Sequence, residues 1–242
     1  RHEPTPQARK MIDDLIAQQV KVKIVKADIA KYEDVQSILD CCDNLKGIVH
    51  AAGVIEDGLI STQSAATFDK VMAAKVTGTW NLHNLTKALD IDYFVCFSSV
   101  ASLLGSVGQS NYSSANAFMD RFAHYRRSIG LPCTSINWGP WAETGMAASL
   151  ADRLKTQGYK PIPVDAGLKM LEEIINSNAT PPQVAVLPMD WNKYMKRVNK
   201  HISFFDKVVR VKESGEDDLL LIDTLKSVDP HEKRSILEDN IK

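Results

Sequence analysis

A serine, a tyrosine and an asparagine that could move a proton stand close together in the middle of the chain. Ser99 ends the apolar run "DYFVCFSS", which is typical of a strand, and Tyr112 and Asn116 follow in "GQSNYSSANAFMD", the start of a predicted helix. Residues four apart share a helix face, and a tyrosine beside a serine at a strand end can donate a proton to a carbonyl oxygen. The spacing alone favours packing over chemistry, so the rest of the chain must decide.

The elements that would position these residues indicate an α/β fold. Five apolar runs are predicted as strands, with helical patterns between them. Strands that are apolar on both faces and alternate with helices indicate a parallel sheet covered on both sides, and such sheets bind ligands beyond the carboxyl ends of their strands. The predicted strands are VKVKIVKADI, KGIVHAAG, DYFVCFSS, CTSINWG and QVAVLPMD, and the predicted helices span residues 7–19, 32–42, 64–89 and 112–128.

The helix over 112–128 has an apolar stripe and a charged opposite side. Phe118, Met119 and Phe122 belong to the stripe, and Asp120 and Arg127 belong to the charged side. This amphipathic pattern predicts that the charged residues face away from the core.

The composition is that of an ordinary globular domain. Of 242 residues, 44% are apolar and 24% are charged, and the net charge is −1. The balanced charge argues against a nucleic-acid partner, and no apolar run approaches the roughly 20 residues of a membrane span, so a cytoplasmic location is expected. The four cysteines lack metal-ligand spacing, which predicts no metal site, and Cys96 and Cys133 are expected as buried free thiols.

Five separated stretches decide between packing and chemistry. They resemble, in order and spacing, the ketoreductase domain of modular type I polyketide synthases, which belongs to the short-chain dehydrogenase/reductase superfamily. The resemblance covers about residues 1–195 and implies a Rossmann-like doubly wound parallel sheet. The stretches are HAAGVIEDGLI, KVTGTWNLHNLT, FSSVASLLGSVGQSNYSSANAFMDRFAHYRR, GLPCTSINWGPWAETGMA and VLPMDWNKY.

The resemblance implies an NADPH-dependent reduction of a β-ketoacyl thioester. Most members of the superfamily have Tyr-x-x-x-Lys and an asparagine on an earlier helix. In ketoreductases the lysine and the asparagine are exchanged, so that the motif is Tyr-x-x-x-Asn and the lysine lies on the earlier helix. Here Asn116 follows Tyr112, and the lysine is Lys75 in "AAKVTGT". Tyr112 would donate the proton, Lys75 would lower the pKa of Tyr112 and hold the cofactor ribose, Ser99 would hydrogen-bond the ketone oxygen, and Asn116 would support proton resupply.

Cofactor contacts are implied by four further matches. "ADIA" matches the pair that meets the adenine, "HAAG" the element that closes over the ribose, "WGPW" the loop that meets the nicotinamide amide, and the first arginine the residue that pairs with the 2′-phosphate. Other interpretations stay open. Asp28 could cap the next helix, His50 could be a core histidine, and both tryptophans could serve packing. The residues are Asp28 and Ile29; His50, Ala51, Ala52 and Gly53; Gly139, Pro140 and Trp141, preceded by Trp138; and Arg1.

The family divides by product configuration, and the matching positions imply a D (usually 3R) alcohol. Asp57 matches the last acid of an "LDD" loop, and Leu104 stands where the other type has a tryptophan. Gln109 and Met146 complete the expected substrate and stereocontrol set.

The domain organisation implied is a ketoreductase domain over 1–200, followed at 201–242 by a linker and the start of an acyl carrier domain. That carrier, with a phosphopantetheine-linked β-ketoacyl chain, and other synthase domains are the expected partners. The Gly-rich nucleotide loop and the first two strands of the superfamily are not in the sequence, so 21–28 would be strand 3 beside a gap, and residues 1–242 alone are expected to bind NADPH weakly. A non-catalytic structural domain and a free-standing dehydrogenase are the alternatives.

Overall fold

A computed structural model describes residues 3–142, 151–177, 179–198 and 202–206. The chain divides into two compact units, residues 1–188 and 189–242. The first unit contains the whole sheet and all the residues of the candidate site that lie in the described part. The second unit has, in its described part, a helix and a 3-10 turn whose aromatic rings pack together, with Trp191 and Phe205 centroids 5.6 Å apart.

Four parallel strands form the sheet in the order in which they occur along the chain. The strands are β1 (Gly47–His50), β2 (Tyr93–Ser99), β3 (Thr134–Trp138) and β4 (Gln183–Val186). In register, His50 of β1 pairs with Cys96 of β2. Because the strands are parallel, their carboxyl ends lie at one edge of the sheet, which is where a site is expected.

Helices connect the strands, as the sequence pattern predicts. In the described residues they are α1 (Pro6–Ala17), α2 (Tyr32–Leu39), α3 (Ala65–Met72), a π-helical segment (Ala73–Thr77), α4 (Gly78–Thr86), α5 (Ala101–Leu104), α6 (Ser110–Ser128), α7 (Ala151–Thr156), α8 (Val164–Asn176), α9 (Trp191–Val198) and the 3-10 turn Ser203–Phe205. The single long helix predicted over 64–89 is therefore three consecutive segments.

The core has two layers, one on each face of the sheet. Alternating side chains of β2 divide between them: Phe94 and Cys96 pack with residues of α4 and α6, and Val95 packs on the opposite face with residues of β3 and α8. This alternation is what a buried parallel strand requires. The predicted doubly wound α/β fold is confirmed.

The first predicted strand, at 21–28, is not a strand in the structure. The segment carries no strand pairing, and Ile24 and Val25 within it are 46% and 39% exposed. A strand is stable only when a neighbouring backbone accepts and donates its hydrogen bonds. Within the described residues no such neighbour lies beside 21–28, so its β-forming side chains alone do not make it a strand.

Two smaller expectations have clear outcomes. Cys96 and Cys133 are buried and free, as predicted. No helix of the described part of the chain is both long and apolar enough to cross a bilayer.

Candidate functional site

The candidate site lies at the carboxyl ends of β1 and β2, beside α6, which packs against β2. Ser99 is the last residue of β2, and His50 is the last residue of β1. Tyr112 and Asn116 lie in the first half of α6, and both are buried. The predicted catalytic residues on these two elements therefore share one edge of the sheet.

Lys75 reaches this edge from a π-helical segment. Its side chain is 3% exposed, and its Nζ donates a hydrogen bond to the carbonyl oxygen of Phe97 on β2 at 2.9 Å. The same Nζ lies 5.5 Å from the centroid of the Tyr112 ring. A single π-helical turn widens a helix locally and is frequent at functional sites. Lysine and tyrosine, 37 positions apart in the sequence, are thus neighbours in the fold.

Burial lowers the pKa of Lys75, so its ammonium group loses a proton more readily. Its pKa falls from 10.5 to about 8, chiefly because burial disfavours the ammonium ion, while Cys96 and Asp120 act in the opposite direction. Gly53 allows this packing, because a Cβ at Gly53 would lie 3.0 Å from Cε of Lys75. The "HAAG" turn therefore closes directly over the lysine.

The pKa of Tyr112 differs from expectation. The sequence predicts that Lys75 lowers it, but in the structure it is raised, because burial disfavours the phenolate. Hydrogen bonds to Ser99 and Asn116 partly oppose that effect, and the charge of Asp57 adds to it. A phenol's pKa is ~10 in water, so this tyrosine holds its proton across the neutral range.

Asn116 has one unpartnered atom, and Ser99 is bonded to Tyr112. Asn116 Nδ2 donates to the carbonyl oxygen of Tyr112 at 2.8 Å, whereas its buried Oδ1 has no hydrogen-bond partner in the described residues. Ser99 Oγ accepts from the backbone N–H of Ala101 at 3.2 Å and is hydrogen-bonded to the phenol of Tyr112. Asn116 Oδ1 can therefore bind a further polar group, and the hydroxyl groups of Ser99 and Tyr112 lie together.

His50 is a neutral buried histidine beside the lysine. It is 3% exposed, its Nε2 lacks a partner among the described residues, and its pKa is lowered to about 4 by burial and then by the charge of Lys75. A backbone hydrogen bond with Ala74 opposes this shift. The ring is therefore uncharged at neutral pH.

This histidine predicts a pH dependence of stability. A group whose folded pKa lies below its unfolded value stabilises the protein above the unfolded pKa and loses that contribution as the pH falls through the folded value. From pH 7 to pH 4, the free energy of unfolding of the whole domain should fall by up to about 3 kcal/mol more in the wild type than in His50→Gln, the 2.5 unit difference between 6.5 and about 4 at 1.36 kcal/mol per unit. Urea unfolding at a series of pH values measures it.

His124→Gln is the matched control, because His124 lies on α6 and is exposed. It should follow the wild-type curve. Parallel curves for the wild type and His50→Gln would contradict the buried neutral state.

The loop after β1 is fastened to the start of α6. Gln109 Nε2 donates to both carboxylate oxygens of Asp57 at 3.1 and 3.2 Å, and the N–H of Gly58 donates to the carbonyl oxygen of Gly108 at 2.8 Å. Asn111 Nδ2 adds a bond to the carbonyl oxygen of Glu56 at 2.8 Å. Two predicted stereocontrol residues, Asp57 and Gln109, are therefore in direct contact.

Comparison with known families agrees with this geometry. A family model described as KR domain matches residues 1–143, more than half of the 242-residue chain. The chain belongs to the ketoreductase-domain family. The relatives that it matches are polyketide synthases, and the solved structures that it resembles are their ketoreductases.

Two synthase proteins and one solved structure illustrate the relationship. A phenolphthiocerol/phthiocerol polyketide synthase of Mycobacterium tuberculosis is 32% identical over 247 aligned positions, 100% of this chain and 13% of that protein. Polyketide synthase GfsA of Streptomyces halstedii is 36% identical over 194 residues, 78% of this chain and 3% of that protein. A-type ketoreductases from a modular polyketide synthase superpose with a TM-score of 0.79 at 33% identity, over 84% of this chain and 44% of that chain. The ketoreductase chain here thus spans under half of that solved chain.

The remaining expected cofactor residues of the ketoreductase lie on segments with structural partners. Asp28 Oδ1 accepts from the N–H of Ala30 at 3.2 Å and closes the turn before α2. Ile29 packs against Gly78, where a Cβ would lie 2.8 Å from its Cγ2. The pair is therefore fixed beside the helix that follows Lys75.

The "WGPW" turn of the ketoreductase is held by β4 and by the segment before α8. The N–H of Gly139 donates to the carbonyl oxygen of Val186 at 2.8 Å, and the carbonyl oxygen of Pro140 accepts from Ile162 at 2.7 Å. The rings of Trp138 and Trp141 pack with centroids 4.9 Å apart. Packing thus explains both tryptophans, and the backbone between them lies at the carboxyl end of β3.

Other expected positions lie at the ends of α5 and β1, and the rest lie outside the described part. Leu104 ends α5 and is half-buried, and Ala51 and Ala52 are exposed after β1. Arg1, Met146 and the tail beyond 206 lie outside the described residues. No group of three or more potential metal ligands occurs among the residues that the structure describes.

Sequence reasoning missed one buried acid of the ketoreductase. The amphipathic pattern of α6 placed Asp120 on the charged outer side, yet it is 3% exposed. The signal was its spacing: Tyr112, Asn116 and Asp120 follow one another at four-residue intervals, which puts all three on one helix face.

Proposed function

We propose that this domain reduces a carrier-bound β-ketoacyl thioester to the β-hydroxyacyl thioester with NADPH, as part of a polyketide synthase. The observation that carries the proposal is the convergence of Lys75, Ser99, Tyr112 and Asn116 at the carboxyl ends of β1 and β2. Two hydroxyl groups and one cation gathered at one sheet edge support the stabilisation of an oxyanion there.

The residues of the chain act on the ketone oxygen. When bound, the nicotinamide supplies a hydride to the ketone carbon, and the chemistry of that step belongs to the cofactor. Ser99 and Tyr112 donate hydrogen bonds to the oxygen as it gains negative charge. Tyr112 then gives up its proton to that oxygen. The raised pKa of Tyr112 suits this order, because the phenol keeps its proton until a stronger base, the forming alkoxide, is present.

Lys75 stabilises the state that follows proton transfer. A pKa of about 8 leaves its side chain mostly charged at neutral pH, so it favours the phenolate that Tyr112 becomes. Asn116, with its unpartnered Oδ1, would hold the water that returns a proton. Lys75 would therefore favour the phenolate once Tyr112 has given up its proton, and it does not lower the pKa of Tyr112 in the resting site.

The described residues fit a nicotinamide cofactor. His50 Nε2 and Asn116 Oδ1 are buried polar atoms whose hydrogen bonds are unmade, and buried polar atoms are rarely left so. Lys75 and the "HAAG" turn would hold the ribose, Asp28 and Ile29 the adenine, and the "WGPW" turn the nicotinamide amide. Arg1 would pair with the 2′-phosphate, because a guanidinium suits that dianion, and this selects NADPH.

The carrier and the neighbouring domains are the proposed partners. The relatives are named polyketide synthases, and this chain covers 13% or less of the two compared above. We assign 1–200 to the ketoreductase domain and 201–242 to a linker and the first part of a phosphopantetheine-bearing acyl carrier domain, in a cytoplasmic synthase. The helix-like pattern "DPHEKRSILEDNIK" supports that assignment.

The product is proposed to be the D (usually 3R) alcohol. Asp57, which accepts a hydrogen bond from Gln109, matches the acid of the D type, and Leu104 stands where the other type has a tryptophan. A solved relative at 33% identity is described as A-type. That label describes the relative, and here the loop residues carry the argument.

The experiment is an assay of the whole ketoreductase domain of the parent synthase with a β-ketoacyl pantetheine thioester and NADPH. We expect loss of absorbance at 340 nm and, on chiral chromatography, a predominantly D product. Asp57→Ala should lower the D to L ratio, while Asp43→Ala, at an exposed position distant in sequence, should not.

A predominantly L product would contradict the assignment of configuration but not of reaction. A folded whole domain without turnover on any such thioester would instead support the non-catalytic structural alternative.

A further inference from the structure

A buried carboxylate lies one helical turn beyond Asn116 on α6. Both oxygens of Asp120 accept hydrogen bonds from hydroxyl groups: Oδ2 from Ser102 at 2.7 Å and Oδ1 from Ser135 at 2.6 Å. The residue is 3% exposed, and no cation pairs with it directly in the described part of the chain. A buried charge without an ion-pair partner is costly to keep, so its retention calls for an explanation.

An asparagine on β3 connects this carboxylate to the end of β2. Asn137 Nδ2 lies 3.0 and 2.9 Å from the two oxygens of Asp120 and 3.2 Å from the carbonyl oxygen of Ser99. Its Oδ1 accepts from Gln183 of β4 at 3.0 Å. The network therefore joins three strands to α6 through side chains that are all satisfied.

The network ends at the backbone of two proposed catalytic residues. The one hydroxyl proton of Ser102 can bond either Asp120 Oδ2 at 2.7 Å or the carbonyl oxygen of Ser99 at 2.8 Å, beside the contact from Asn137. Ser98 Oγ donates to the carbonyl oxygen of Asn116 at 3.3 Å. The side chains of Ser99 and Asn116 remain outside the network.

The carboxylate network and Lys75 reach β2 two residues apart, because Lys75 Nζ bonds the carbonyl oxygen of Phe97 and the network bonds that of Ser99. The titratable groups around Lys75 are His50 on β1, Cys96 on β2 and Tyr112 on α6, besides Asp120. The pKa of His50 is too low, and the pKa values of Cys96 and Tyr112 are too high, for any of these three to be charged at neutral pH. Asp120 is the remaining acidic group among them, and its charge raises the pKa of Lys75.

We propose that Asp120 is a positioning residue of the reductase site, which holds Ser99 through Asn137 and Ser102 and keeps Lys75 cationic through its negative charge. The inference rests on the proposed function. It differs from a purely structural role because a structural role requires the hydrogen bonds but not the charge.

The test is Asp120→Asn in the whole ketoreductase domain, with turnover measured from pH 6 to pH 10. Activity needs charged Lys75, and removing the negative charge lowers the pKa of Lys75. The alkaline limb of the kcat/KM profile should therefore move to lower pH by roughly 0.5 unit or more. The kcat should fall roughly 10- to 100-fold through misplacement of Ser99.

Ser135→Ala is the matched control, because it removes one hydrogen bond to Asp120 and keeps the charge. It should lower the melting temperature and leave the alkaline limb where it is. The pH at which the alkaline limb of the kcat/KM profile falls does not depend on the fraction of protein that folds. A destabilised Asp120→Asn variant therefore still shows whether that pH has changed.

A second measurement is independent of turnover. In protein labelled with 13C at lysine Cε, the Lys75 resonance, assigned with Lys75→Arg, should titrate at lower pH in Asp120→Asn than in the wild type. Unchanged titration and an unmoved limb would overturn the inference. If the wild type proves inactive, the proposed function fails, and the resonance alone decides whether Asp120 acts on Lys75.

Discussion

Replacing Tyr112 by phenylalanine in the whole ketoreductase domain is expected to lower the rate of ketone reduction by about 10²–10⁴-fold, the usual contribution of a positioned general acid. The phenol hydroxyl is the group that can give a proton to the forming alkoxide, and phenylalanine keeps the ring that packs against Val71 and Ala115. The free energy of unfolding should therefore change little. Steady-state reduction of a β-ketoacyl thioester at pH 7 measures the loss.

The same helix provides the control for this substitution. Tyr125 is 45% exposed and lies away from the sheet edge, so Tyr125→Phe should retain wild-type turnover. Near-wild-type turnover of Tyr112→Phe would remove the proton donor from the mechanism and the proposed reaction with it.

Replacing Lys75 by methionine is expected to reduce turnover by about 10²-fold or more, because the tyrosinate then forms without a neighbouring cation. The same substitution should stabilise the fold at neutral pH. Burial of the ammonium group lowers its pKa from 10.5 to about 8, which corresponds to as much as about 3 kcal/mol at 1.36 kcal/mol per unit. A more stable and less active variant is an outcome that general damage to the fold would not produce.

The pH dependence gives the sign of this stabilisation. A lysine with a depressed folded pKa destabilises the fold below about pH 8, and the cost disappears as the pH rises to 10.5. The advantage of Lys75→Met in urea unfolding should therefore shrink over that interval. Lys87→Met, at an exposed position near the end of the same helical stretch, should change neither turnover nor stability appreciably. An active Lys75→Met variant would contradict the assignment.

The sheet could be predicted because each strand can be recognised from its own residues. β1 to β4 all lie within apolar runs of strand length, and buried parallel strands need such runs. The segment 21–28 alternates lysines with Val22 and Ile24, as a half-exposed strand would, and is not a strand, because the pattern of side chains does not report the neighbour that completes the hydrogen bonds. Strand formation at that position is a property of the surrounding chain.

Only those parts of the site that follow from residue spacing or from the family resemblance could be predicted from the sequence. Tyr112 and Asn116 share a helix, so their proximity follows from a four-residue interval, whereas Lys75 was paired with them by the family pattern alone. The raised pKa of Tyr112 could not be predicted, because it depends on how completely the packed side chains exclude water. Asp120 was misplaced because an aspartate in an amphipathic helix ordinarily faces solvent.

The π-helical segment Ala73–Thr77 places stability and activity in opposition. A π turn accommodates one more residue than an α turn, so loss of one residue there would let α3 and α4 join as one regular α-helix with better hydrogen bonds. The same deletion would leave α3 and α4 facing as they do now, because the π turn already absorbs the extra residue, but it would remove the widened turn from which Lys75 reaches Phe97 and Tyr112. Among single-residue deletions, this one would make the helix more regular and displace the lysine of the candidate site, so selection for stability alone would act against that site.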